Sequence, residues 1–421
     1  MKINNKIIFI ATTIFLLGIL TTSSFTKYKN TENINIAKGT INNKVIDKNT
    51  VAVLLQDSDG NYQNSNDIPT DGYIFNSNES YCKLGSEKLD IEINYNMETK
   101  ALTISPLTQK GIKCTLAFDL LNARDTILAN MTIITTRSSF TTAITGTSTG
   151  TIYTAEDDDG TTYYFAGSPK DNYVSFGGFY WRIIRINGDG SIRMIYQGTS
   201  ASANGTDTQI GTSSFNQYQD DNMYVGYMYT SGSVHGLGTS STIKTAVDNW
   251  YKSNLINYST YIDTNAGFCG DRSPYKTSGA SGGGTGTTAT NYGASKRTTS
   301  PSYKCPYSSD LYTISSSNKG NKALTYPVAL ITSDEYIYSG GFYASEGGYT
   351  YLNNGQFQMT MTPYSFSVGA ANVFIIYTDG WLTSSYTSSS YAGGIRPVIN
   401  LRADVTLTGS GTSADPYKVS S

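Results

Sequence analysis

The sequence predicts a mainly β protein with few helices, an α+β chain built as a small N-terminal β-sandwich and a larger C-terminal domain. Three observations carry the prediction. Tyr is abundant (34 residues), and Gly, Ser, Thr and Asn fill much of the rest, a composition of half-buried strands and long loops. Short apolar runs recur along the chain, each closed by Asp, Asn or Gly. Only Thr239–Leu255 has a long helical period. The 421 residues leave room for two or three domains. Charge is sparse and the net value is -2, which argues against nucleic acid or an acidic membrane surface as partner.

Residues 1–28 have the shape of a signal peptide or signal anchor. Lys2 and Lys6 precede the apolar run Ile7–Leu20, and the small residues Thr21–Ser24 follow. The run is short of the roughly 20 residues that a bilayer span needs. Cleavage is therefore expected, with an uncleaved anchor as the alternative, and any membrane contact would be through this segment. Residues 29–49 are polar and read as a stalk.

Residues 50–125 read as the small β-sandwich module. Val51–Leu55, Gly72–Phe75, Leu89–Tyr95, Ala101–Ser105 and Ile112–Phe118 are strand-like runs at short spacing. Asp57-Ser58-Asp59-Gly60-Asn61 resembles the start of a calcium loop, but Ile68 stands where an EF-hand needs its closing Glu, so it reads as a turn. Cys82 and Cys114 both fall in this module and are expected to pair. Leu120–Met131 suggests a short helix, and residues 126–150, rich in Thr and Ser, are assigned as the linker.

Residues 151–421 form the second domain. Thr151–Tyr153 and Thr161–Phe165 flank Asp157-Asp158-Asp159-Gly160, a turn that cannot aim three carboxylates inward at one metal. Tyr180–Ile186 and Ser191–Tyr196 form a hairpin around Asn187–Gly190. Trp181, Ile183, Ile186, Ile192, Met194 and Tyr196 make its one buried face. Helix Thr239–Leu255, capped by Ser241 or Thr242, places Ile243, Val247, Trp250 and Leu255 on one face, which makes Trp250, like Trp181, a core residue. Cys269 is expected to pair with Cys305, stapling a flexible Gly/Ser/Thr-rich insert, Ser278–Ser300, to the body. Leu324–Ile331 reads as a buried strand. Thr332–Glu335 reads as a helix cap, and Gly340-Gly341 as the stop.

The last stretch is the most informative. Val373–Tyr377, the turn Thr378–Gly380 and Trp381-Leu382 make a hairpin, followed by the apolar run Ile395–Leu401. Arg396 lies inside that run. It is expected to be buried and structural, satisfied by a carboxylate or by backbone carbonyls. Thr360-Met361-Thr362-Pro363, Ala371-Asn372-Val373, Asp379-Gly380 and Gly394-Ile395-Arg396-Pro397-Val398-Ile399-Asn400-Leu401 together resemble the end of a C-type-lectin-like domain. The branch resembled is the formylglycine-generating-enzyme-like one, in surface proteins of Gram-positive gut bacteria. Gln358-Met359 replaces the usual Tyr-Trp of that pattern, and Thr362 its Ser. The resemblance implies a ligand surface made by loops, here near Tyr364–Gly369 and Trp381–Tyr391.

Function follows from what is present and what is missing. The chain has one histidine, His235, in a loop-like Ser/Gly context, so a histidine-cluster metal site is excluded and a Ser-His-Asp triad could use only this residue. No Cys follows Cys305, whereas formylglycine-generating chemistry uses cysteines late in the domain. Neither a cofactor nor a metal is expected. The reading is an exported, adhesin-like, non-enzymatic binding protein whose partner is an extracellular protein or glycan. Trp381, Tyr386, Tyr391 and Tyr364 are the candidate contacts, since stiff rings with polar tips suit recognition. The alternatives are a structural cell-surface component and, third, an oxidoreductase of the formylglycine-generating kind.

Overall fold

The computed structural model describes residues 48–420 except 58, 70, 71, 97, 98, 100, 130, 135, 136, 138, 143, 145–147, 344–349 and 389. The targeting segment and nearly all of the stalk lie outside the described residues. The chain is mainly β, with short helices, and divides into two compact units at Leu121/Asn122.

The first unit is built on a five-stranded sheet. Its order is Tyr62–Ser65, Thr50–Gln56, Ile112–Leu120, Tyr73–Leu84, Glu87–Leu89. The hairpin Glu92–Asn96/Ala101–Ser105 is a separate two-stranded sheet, and its Ile93, Tyr95, Leu102 and Ile104 pack against Val53, Leu116 and Phe118. Phe118 meets Phe75 and Tyr95 at centroid distances of 5.6 and 5.3 Å. Cys82 and Cys114 are bonded directly across neighbouring antiparallel strands, in register, with their Cα atoms 3.9 Å apart. Closing a 32-residue separation stabilises the unit by about 3–4 kcal/mol in the chain-entropy model. The Asp57 carboxylate accepts the N–H groups of Asp59 and Asn61 at 3.1 and 2.9 Å, the bonding of an Asx-type turn.

The second unit packs two larger sheets around one core. One has nine strands centred on Phe179–Ile186, which pairs with Ile192–Gly198 on one side and with Tyr173–Phe176 and Gly160–Tyr164 on the other. Val398–Leu401 extends it beside Ile192–Ile195. The other has eight strands, with Gln358–Ser367, Ala370–Ile376 and Trp381–Tyr386 as its longest members. Helix α1 (Ala123–Leu128) is capped by Asn122, and the Ala123 N–H donates to Val405 O within this unit. Helix α2 (Thr242–Asn254) is capped by Ser241, and Ile243, Val247 and the following Leu255 are fully buried. Trp250 is half-buried in a ring cluster with Phe179, Trp181 and Tyr196. Helix α3 (Ser333–Tyr338) opens on a capping box formed by Thr332 and Glu335.

Three expectations change. The 179–198 hairpin is buried on both faces, not one. A bulge between Ile183 and Arg185 shifts the strand phase, so Arg182, Arg185 and Arg193 share the second face, and all three are buried. Leu324 and 327–331 are buried, with Thr325 exposed between them, and the stretch makes only isolated bridges, Leu324 with Ile314 and Ala329 with Val398. Pro327, with no N–H, interrupts any ladder there. The insert 278–300 is folded in: Thr290–Tyr292 pairs with Gln358–Ser367, and the buried Tyr292 hydroxyl donates to Asn222 Oδ1 at 2.8 Å.

Candidate functional site: a pit of paired charges

The aromatic residues singled out from the sequence do not form one surface. Trp381–Tyr386 is a strand, not a loop, paired along its length with Asn372–Ile376. Strand alternation turns Trp381 and Tyr386, five positions apart, to opposite faces. Trp381 contacts Tyr377 at 6.1 Å and its indole N–H is buried without a partner. Tyr386 meets Tyr391 at 5.0 Å. Tyr364 is tied down by a hydroxyl–hydroxyl bond of 2.6 Å to Tyr343 and packs on Phe374 at 4.9 Å.

A different constellation lies in the second unit. A pit with a cavity of about 40 Å³ opens among seven chain segments: the turn 157–159, the hairpin 185–193, residues 266–271, residues 297–304, residues 311–319, the start of helix α3 and Thr362. Glu335, 2% exposed, is at its floor. As the third residue of the capping box, its Oε2 accepts the Thr332 N–H at 2.9 Å, while Oε1 pairs with Arg193 Nε and, at 3.6 Å, with Arg185 Nε. Arg185 also pairs with Asp157 at 2.6 Å and lies 4.5 Å over the Tyr303 ring. On one wall Arg297 bridges Asp271 at 2.8 Å and Asp334 at 3.0 Å. Burial acts to lower the Arg297 pKa, but Asp334 and then Asp271 outweigh it and hold the guanidinium above its ordinary value. On the rim Lys319 pairs with Asp159 and faces Asp189 at 3.6 Å.

The triple-Asp segment forms the expected turn, with Asp157 buried and Asp158 and Asp159 exposed. All three carboxylates border the pit. Each is engaged by protein donors: Asp157 by Arg185, Asp158 by the Cys305 N–H at 3.0 Å, Asp159 by Lys319. Among the described residues no group of three or more His, Cys, Asp or Glu is arranged to hold a metal. Cys269 borders the pit and is bonded to Cys305, as the sequence predicts. With Cys82–Cys114, this leaves no free cysteine. His235 lies elsewhere: its Nδ1 is 2.9 Å from Asp310, which is fully buried and paired with Arg272.

Neutral and charged groups of the pit alike carry buried atoms without a hydrogen-bond partner, Arg185 Nε among them. The Tyr303 hydroxyl and Asn187 Oδ1 are buried without partners. Tyr303 itself is fixed by stacking on Tyr338 at 3.9 Å. The lining carries seven carboxylates and five cationic side chains, so the pit is acidic overall despite the ion pairs across it. Sequence reading missed Arg185, Arg193, Glu335 and Tyr303. The available signal was the recurrence of Arg within two strongly apolar strands, where an unpaired charge is not tolerated.

Arg396 is buried, as expected, and bound only by neutral acceptors: Tyr196 O (3.1 Å), Leu352 O (2.8 Å), Gln358 Oε1 (3.3 Å) and Gln197 Oε1 (3.4 Å). Burial, and then the nearby Arg182 charge, push its pKa down to about 9.

No protein-family model matches the chain, and no curated protein or solved structure matches it significantly.

Proposed function

We propose that the protein is an exported, surface-associated, non-enzymatic binding protein, adhesin-like in role, whose second unit holds a small polar group of its ligand in the pit. The observation that carries the reading is the pit's construction. Buried ion pairs are weak stabilisers compared with apolar packing of the same volume, so seven segments converging to build a cavity from them point to recognition. The ligand group is rich in hydrogen-bond donors and carries no negative charge, matching a lining with more carboxylates than cations. Two disulfides fit an oxidising, extracellular setting. The formylglycine-generating alternative would need a free thiol, and both cysteine pairs are bonded.

Screening the full chain on a glycan and extracellular-matrix array, then repeating it with Tyr303→Phe and Lys319→Ala, tests the reading. Binding that drops in the variants supports it. Binding unaffected by both moves the site away from the pit. No binding to any arrayed molecule favours a structural surface component.

A further inference from the structure

Three tyrosines outside the pit form a ridge of packed rings. Tyr229 packs on Tyr224 at 5.3 Å and Tyr224 on Tyr218 at 5.7 Å, with Tyr218 itself 52% exposed. A second ring pair is held close by through the buried Thr387. Thr387 Oγ1 donates to Tyr218 O at 2.9 Å, and Thr387 directly follows Tyr386, whose ring meets the 41%-exposed Tyr391. Beside it, the Ala371 N–H donates to Gln219 O at 2.6 Å, which brings up the tip of the 358–376 hairpin. At that tip Val368 is 98% exposed and has φ 51°, a left-handed conformation that a β-branched residue rarely adopts. An apolar side chain held in solvent by strained backbone is a feature that functional surfaces keep.

The second observation is electrostatic. The ridge is assembled from two long stretches without a single lysine or arginine, between Arg193 and Lys244 and between Lys322 and Arg396. Asp220, exposed, and Asp221, which caps the turn Asn222–Val225, lie within the ridge sequence. Burial, followed by the Asp220 charge, raises the Tyr224 pKa. Elsewhere in the same unit, arginines stack on tyrosines within the fold: Arg182 on Tyr173 at 3.9 Å and Arg185 on Tyr303 at 4.5 Å. The ridge presents the same ring chemistry outward, with carboxylates and no cation of its own.

We propose that this ridge is a docking surface for an extended, arginine-rich segment of a partner polypeptide. Guanidinium planes would stack on Tyr218 and Tyr391 while Asp220 takes a charge-assisted hydrogen bond, a pairing that lysine's compact ammonium makes less well. None of the ridge residues lines the pit, so the surface stands whether or not the pit takes a ligand.

The test is fluorescence anisotropy of labelled oligo-arginine, oligo-lysine and a neutral Gly-Ser peptide against the full chain at near-physiological salt. Oligo-arginine is expected to bind about threefold more tightly than oligo-lysine, and the neutral peptide not at all. Tyr218→Ala and Asp220→Asn, both at exposed positions, should each weaken oligo-arginine binding about fivefold. Asp90→Asn, an exposed charge change in the first unit, should leave it unchanged. Absent binding, equal binding of the two cationic peptides, or equal losses in Asp90→Asn and Asp220→Asn would overturn the proposal, the last two by reducing it to bulk charge.

Discussion

Neutralising Glu335 is the sharpest perturbation of the pit. Glu335→Gln keeps the side-chain shape, and glutamine also serves at the third position of a capping box, so helix α3 keeps its start. With the amide oxygen on the Thr332 N–H, the charge is lost and an NH2 donor faces the Arg193 guanidinium. Arg185 retains Asp157 at 2.6 Å. Arg193, 1% exposed, retains no carboxylate; its remaining polar contact is Gly267 O at 3.2 Å. Breaking a buried pair from one side costs about 3–5 kcal/mol because the other charge stays buried. For a unit of this size that is a fall of roughly 10 °C in its thermal midpoint. Differential scanning calorimetry of the full chain would follow the transition of the second unit. Pairing Glu335→Gln with Arg193→Met should be less costly than the two changes summed, since the second removes the orphaned charge. A Glu335→Gln variant within about 1 kcal/mol of the parent would refute the reasoning, because the guanidinium would then be satisfied by something other than this carboxylate.

Other outcomes follow from single sites. Arg396→Ala should cost about 3–5 kcal/mol, measured by urea unfolding, because it strands two carbonyls and two Gln oxygens around a cavity. Val368→Gly should raise stability by about 1 kcal/mol by relieving a left-handed valine that has no packing to lose. Alkaline titration should show delayed tyrosinate formation. Burial pushes Tyr251 and Tyr338 up to about 12, so the folded state binds more protons than the unfolded state above the ordinary phenol pKa. Their stabilisation is therefore complete below about pH 10 and is lost as pH rises through about 12, a slope visible in denaturation midpoints taken across that window.

Much of the fold was legible because its signals are local. Ser241 and Thr332 cap the helices their side chains predict, and Asn187–Gly190 turns the hairpin it should. Both disulfides follow from an even cysteine count with each pair close in sequence. Arg396 was readable because one charge in an apolar run has few options. The pit was not readable, since its members are brought together across 178 positions by sheet pairing, as with Asp157 and Glu335. The bulge after Ile183 also hid it: strict alternation puts Arg182 and Arg185 on opposite faces, and the bulge puts them on one. The Gly- and Ser-rich run 278–300 misled for a related reason. Its composition speaks for the loop around it, while Tyr292 and Asn222, far apart in sequence, decide its place.

The pairing of Thr50–Gln56 with Ile112–Leu120 has a mechanical consequence. The two strands run parallel, Thr50 opposite Lys113 and Leu55 opposite Phe118, and among the described residues they are the first and last strands of their unit. Tension applied at the N-terminal end of one and the C-terminal end of the other would pull them along their length in opposite directions. The ladder would then be loaded in shear, with its hydrogen bonds sharing the force and yielding together rather than one by one. The Cys82–Cys114 bond fastens the last strand to its other neighbour, so that strand cannot slide free of the sheet even if the shear ladder gives way. Such a unit would resist stretching far better than its small core suggests, and it would do so in one pulling direction only.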